Sequence, residues 1–326
     1  MTTVHRVGSL AEVLAYVPAS LGFQPSESLV LVSLLAPRGR VGVVMRVDLT
    51  AAADAAADLA RILARENAAR AILITYSDDP TAAAAAAAAV RKAAEPLAIR
   101  SAVVTSNGYG WADEPGLSPM SDLDGTGVAA MSVYSGIAVR TSRDDLTPRV
   151  TDAAAIATAR AAANDGPDVL EHGQALAAWR QAVEEQTSDP RTLGLLARSI
   201  TDVHVRDAVL VLMVTRSDEK AEAALNGDDA AAAETVMTLM ETPEQPGGRL
   251  DPWAETLARV AAHQGSEPVA APAWTLWAIT QWWAGAGTSA NIGIEQALAA
   301  DDSHRLAHLI EATLAAGIGP GWTRRP

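Results

Sequence analysis

The residues of this sequence best suited to chemistry are carboxylates. Asp122-Leu123-Asp124-Gly125-Thr126 has the spacing of an aspartyl nucleophile followed by an aspartyl acid, the pair that attacks phosphorus and protonates the leaving group beside Mg²⁺. That chemistry needs the motif at the C-terminal end of a buried parallel strand. The preceding Gly116-Leu117-Ser118-Pro119-Met120-Ser121 has no strand pattern, so Asp122 and Asp124 also read as loop acids near the start of a helix at Val128. The pairs Asp78-Asp79, Asp144-Asp145, Asp228-Asp229 and Asp301-Asp302 each stand before an Ala-rich or amphipathic segment. Helix capping accounts for all four at once and is preferred to metal ligation. His304 and His308, four apart with Glu311 beyond, have the spacing of zinc ligands on one helix face, but Arg305-Leu306-Ala307 between them supplies no Glu base. A solvated helix face is preferred there, and no metal is assigned. With no Cys, thiolate metal sites, disulfides and Cys nucleophiles are excluded. Neither a Gly-rich phosphate loop nor a Gly-x-Ser-x-Gly elbow is present.

The remaining candidates come from position. Ser9 to Tyr16 reads as a helix capped by Ser9 with Glu12 and ended by Pro18. Ser28–Leu35 and Val41–Leu49, joined through Pro37-Arg38-Gly39, read as an antiparallel hairpin. Helices over Ala51–Arg65 and Thr81–Ala94 then alternate with strands over Ala71–Thr75 and Ile99–Thr105, the order of βαβ units. The Ala run from Ala82 to Ala89 belongs to such a helix, since Ala is the best helix former. In a parallel sheet ligands gather beyond the C-terminal strand ends. Those ends carry Arg46, Asp48, Tyr76, Ser77, Asp78, Ser106 and Asn107, and a long Gly- and Pro-containing loop with Tyr109 and Trp111 starts beside them. Arg46, Asp48, Asp78, Ser106, Asn107 and Trp111 are therefore the ligand-binding candidates. The competing reading makes Arg46–Asp48 a structural pair on one strand face.

Beyond Gly127 nearly every segment reads as helix. The expected fold is an α/β N-terminal domain, residues 1–145, with a mainly parallel sheet and an edge hairpin. An all-α C-terminal domain, residues 146–326, follows it. Six of the eight Trp lie in the last quarter of the chain, and Trp274 and Trp277 share a helix face, so packing is preferred to a stacking platform. The net charge of −14 disfavours nucleic acid and anionic membrane surfaces. No apolar run is long enough for a membrane helix and Met1 to Leu10 carries no signal core, so the expected location is cytoplasmic.

Leu21-Gly22-Phe23-x-Pro25-x-x-Ser28-Leu29-Val30 and Arg46-x-Asp48-Leu49 resemble the opening of an actinobacterial family catalogued as domain of unknown function 4192. The stretch from Trp274 through Gly285-x-Gly287-x-x-Ala290-Asn291 to Glu295-x-Ala297-Leu298 and Leu306-Ala307 resembles its ending. The resemblance implies a soluble cytoplasmic protein and supplies no reaction. A high-GC actinobacterium or its phage also fits the scarcity of Lys (Lys92 and Lys220) and the single Phe. Two functions are carried forward. One is binding of a small polar ligand or of a protein partner, with self-association open and no cofactor. The other is a Mg²⁺-dependent phosphate-ester hydrolase using a carboxylate pair at the strand edge.

Overall fold

The computed structural model describes residues 8–36, 39–134, 136–164 and 170–323, apart from the side chain of residue 229. Pro37 and Arg38 of the expected hairpin turn, and residues 1–7 of the N-terminus, lie outside them. The chain divides into two compact units that part between Leu146 and Thr147.

In the N-terminal unit, helix α1 (Leu10–Leu21) begins where Ser9 Oγ accepts the Glu12 N–H at 3.3 Å. It does not stop at Pro18. Gly22, at φ +82°, closes it by donating its N–H to the Pro18 carbonyl, a left-handed cap that only glycine adopts without strain. The sheet contains β1 (Ser28–Leu35), β2 (Arg40–Asp48), β3 (Ala68–Tyr76), β4 (Ile99–Thr105) and β5 (Gly108–Trp111), in the order β2-β1-β3-β4-β5. The α/β-then-all-α order is as the sequence indicated, but the sheet is mixed. Only β3–β4 is a parallel pair, because β1 lies between β2 and β3 and runs antiparallel to both. At the far edge β5 folds back on β4, inside the stretch expected to be a loop.

Alternation along β1 divides the core. Leu29 and Leu31 face α2 (Ala52–Arg65) and α3 (Pro80–Ala93). Val30 and Val32 face the other way, with Ile72, Ile74, Tyr76 and Val104, onto α1. The Ala run lies in α3, where Ala83, Ala86 and Ala87 are buried and small side chains let the helix lie close to the sheet. Helix α4 (Gly127–Tyr134) packs beside α1.

The second unit contains helices from α5 (Ala153–Asn164) through α6 (His172–Glu185), α7 (Pro190–Ser199), α8 (Val203–Thr215), α9 (Asp218–Leu225), α10 (Asp229–Glu241) and α11 (Asp251–Gln264) to α12 (Ala271–Ala284), α13 (Gly287–Ala300) and α14 (Arg305–Ala315), with no strand among the described residues. Helix α12 is apolar on nearly every side and is buried accordingly. Trp179, Trp274, Trp277, Trp282 and Trp283 are core residues. Trp274 and Trp277 meet edge to face at 5.8 Å, and the Trp274, Trp282 and Trp322 N–H groups donate to the carbonyls of Gly265, Ile318 and Trp283.

At Gly293, α13 comes against α12 so closely that a Cβ there would sit 2.8 Å from Ala278 Cβ and 3.1 Å from its Cα. Gly293→Val should therefore lower unfolding free energy by about 2 kcal/mol through overpacking, as read by urea denaturation. Unchanged stability would mean that the helices separate without cost.

Candidate functional site

Register brings the strand ends together despite the mixed sheet. Ser28 pairs with Asp48 on one side and with Tyr76 on the other, and Tyr76 pairs with Val104. The C-termini of β2, β3 and β4 thus share one edge with the start of β1. Arg46, Asp48, Asp78, Ser106 and Asn107 stand along that crest. Trp111 does not, because it pairs with Ala102, three residues back along β4 from Thr105.

Along the crest the polar groups bond mainly to one another. Arg46 donates through Nε to Ser28 Oγ at 2.8 Å and pairs with Asp48 at 2.6 Å, its guanidinium lying 5.8 Å from the Phe23 ring centre. Ser77 donates to Glu27 at 2.9 Å and accepts the Asp79 N–H. Asp78 accepts the Ser106 N–H at 2.6 Å, tying the β3 end to the β4 end. The Asn107 N–H donates to Thr105 Oγ1. Asp79 accepts from the Thr81 and Ala82 N–H groups as the cap of α3, and Asp228 caps α10 in the same way. Asp145 and Asp301 each accept from a nearby serine, Ser142 and Ser303, in turns. Trp111 carries Arg100 stacked 3.8 Å from its ring centre, and Arg100 also bonds Asp113 and Glu114.

Asp122 is exposed on a 3₁₀ turn, Met120–Leu123, that Asp124 closes. That turn follows the Tyr109–Ser118 bridge and not a parallel strand, so the in-line geometry of an aspartyl nucleophile is not the one built here. His308 contacts Glu311 and the Asp302 carbonyl. Among the described residues no group of three or more His, Asp or Glu is placed to hold a metal ion.

Behind the crest, on the α1 face, lies an open cavity of about 590 Å³, with Val133, Ile137 and Asp124 exposed at its rim. Its walls come from α1, the Met120–Asp124 turn, α4 and the segment through Val139, and they are mostly apolar: Leu14, Pro18, Met120, Leu123, Val133 and Ile137 among others. Gln24, Ser121, Asp124, Ser132 and Tyr76 supply the polar atoms. Tyr76 is 5% exposed, and its hydroxyl, itself closed off from water, has no hydrogen-bond partner among the described residues. Burial pushes its ionisation far above that of a free phenol, so the ring stays neutral.

Sequence reasoning placed Tyr76 at the strand edge without giving it a role. The available signal was the alternation Ile72-x-Ile74-x-Tyr76, which aims a phenol into an apolar face where nothing nearby in sequence can satisfy it. Gln24, Ser121 and Ser132 carried no signal, since only the tertiary arrangement brings them to the cavity.

The Asp48 carboxylate is 64% exposed, so Asp48→Asn should change stability by less than about 1 kcal/mol in urea titrations. Asp79→Ala should cost about 1 kcal/mol by uncapping α3. Tyr76 has a distinct pH signature. Its folded pKa lies above the unfolded value of 10.0, so its contribution is constant below pH 10 and is lost as pH rises beyond it. Tyr76→Phe should flatten the alkaline limb of the stability–pH curve, and an identical limb would show that the phenol ionises freely.

Among the described residues, no helix is long and apolar enough to cross a membrane. No curated protein and no solved structure matches the chain. A family model described as Domain of unknown function (DUF4192) matches residues 11–321, across both compact units. The chain belongs to that family.

Proposed function

We propose that this chain is a ligand-binding protein whose N-terminal unit holds a small, largely apolar molecule with one hydrogen-bonding group in the cavity beside Tyr76. The observation that carries this reading is Tyr76, which lines that cavity and whose buried hydroxyl has no hydrogen-bond partner among the described residues. A buried hydroxyl left unsatisfied costs about 1–3 kcal/mol, and a ligand oxygen or nitrogen removes that cost on binding. A mostly apolar cleft with a few polar groups is the usual build of a small-molecule site. The crest supports the reading indirectly. Its charged groups are engaged, Arg46 with Asp48 and Ser28, Glu27 with Ser77 and Asp78 with the Ser106 N–H, which holds the strand ends and leaves recognition to the cavity behind them.

The test uses prodan, a neutral naphthalene ketone whose emission shifts to the blue in apolar surroundings. Saturable binding at one site is expected. Ala129→Phe, which fills the cavity, should weaken it at least about tenfold by steric exclusion. Tyr76→Phe should leave the melting temperature unchanged or raised, because it deletes an unsatisfied group. It should also weaken prodan binding about three- to tenfold, the range of one hydrogen bond. Loss of stability in Tyr76→Phe with prodan affinity intact would assign the hydroxyl to folding, and undiminished binding in Ala129→Phe would remove the cavity as a site.

A further inference from the structure

Resting on that reading, we infer that the cavity selects a cationic amphiphile, an apolar body bearing a protonated amine that pairs with Asp124. Among the described residues, Asp124, which is exposed at the cavity's rim, is the only charged side chain lining it, and no Lys, Arg or His does. Its backbone N–H is used within the turn, donating to the Ser121 carbonyl, but its carboxylate forms no ion pair among the described residues. The crest acids nearby differ in this respect, since Asp48 is matched by Arg46 and Asp78 by the Ser106 N–H. The other polar groups, Tyr76, Gln24, Ser121 and Ser132, are neutral. Tyr76 keeps its proton and can satisfy a neutral oxygen or nitrogen on the same ligand. An anionic head would meet only a like charge at this wall, and a cation would meet an unmatched opposite one. The overall charge of −14 adds a longer-ranged attraction for cations.

The experiment compares octylamine, 1-octanol and octanoate as competitors of prodan at pH 7 and constant ionic strength. The three share a chain and differ in head charge. Octylamine is expected to bind best and octanoate worst, with a ratio of about tenfold between them, since one ion pair is gained and one repulsion avoided. Asp124→Asn should remove most of that ratio and leave octanol unchanged. Asp122→Asn deletes the same charge two residues away, on a side chain that does not line the cavity, and should leave the ratio intact. Equal affinity for octylamine and octanoate, or equal effects of the two substitutions, would overturn the inference. Octanol and prodan would still bind in that case, so ligand binding itself would stand. If neither prodan nor octanol binds, the ligand-binding reading falls and takes this inference with it.

Discussion

Strand β1 is dry on both faces and paired on both edges, and the N-terminal unit is organised by that constraint. Leu29, Val30, Leu31 and Val32 are fully buried, so layers must form above and below the strand at once. Each such side chain contributes roughly 1.5–3 kcal/mol by leaving water, which fixes the strand in the middle of the sheet. Pairing with β2 and β3 at a common register then sets Ser28 beside both Asp48 and Tyr76. The alignment of strand ends, the bonding along the crest and the depth at which Tyr76 is buried all follow from that register.

The two faces are closed differently. On one, α2 and α3 lie against the sheet through alanines, leaving a dense layer. On the other, α1 and α4 pack over larger side chains, and a cavity remains that Tyr76, with its unsatisfied hydroxyl, helps to line. A protein optimised for stability alone would gain by carrying Phe at position 76. A hydroxyl kept there, beside a cavity of ligand size, is the kind of local inconsistency that marks functional sites. In the helical unit Trp274, Trp282 and Trp322 donate their N–H groups to backbone carbonyls and Trp179 donates to Ser199, while the Trp283 N–H is buried without a partner among the described residues.

The sequence was most readable where local signals were strong. The runs of Val, Leu and Ile located β1 to β4, and Ser9 and Asp79 marked helix starts that the structure keeps. Errors arose where distant contacts decided the outcome. A mainly parallel sheet was expected because helices alternate with strands. The β1–β2 hairpin is antiparallel as expected, but β1 also pairs antiparallel with β3, so that of the strand pairs described only β3–β4 is parallel. Strand β5 was hidden by its length and by Gly108, whose φ of +136° brings the chain so close to the Ser118 carbonyl that a Cβ would lie 2.3 Å from it. Pro18 was read as a helix end, whereas Gly22 supplies the cap. Strand-end polar residues could be placed from the sequence because a strand's end is a local property. The cavity could not, since its walls join Leu14, Val104 and Ile137, residues far apart along the chain.

The central claim is that the space beside Tyr76 receives a ligand, and crystals soaked in 8-bromo-1-octanol test it most directly, because bromine is located by its anomalous signal. A bromine peak inside the cavity is expected, with the alcohol oxygen within hydrogen-bonding distance of the Tyr76 hydroxyl. A cavity without signal, or bromine only at other surfaces, would contradict it.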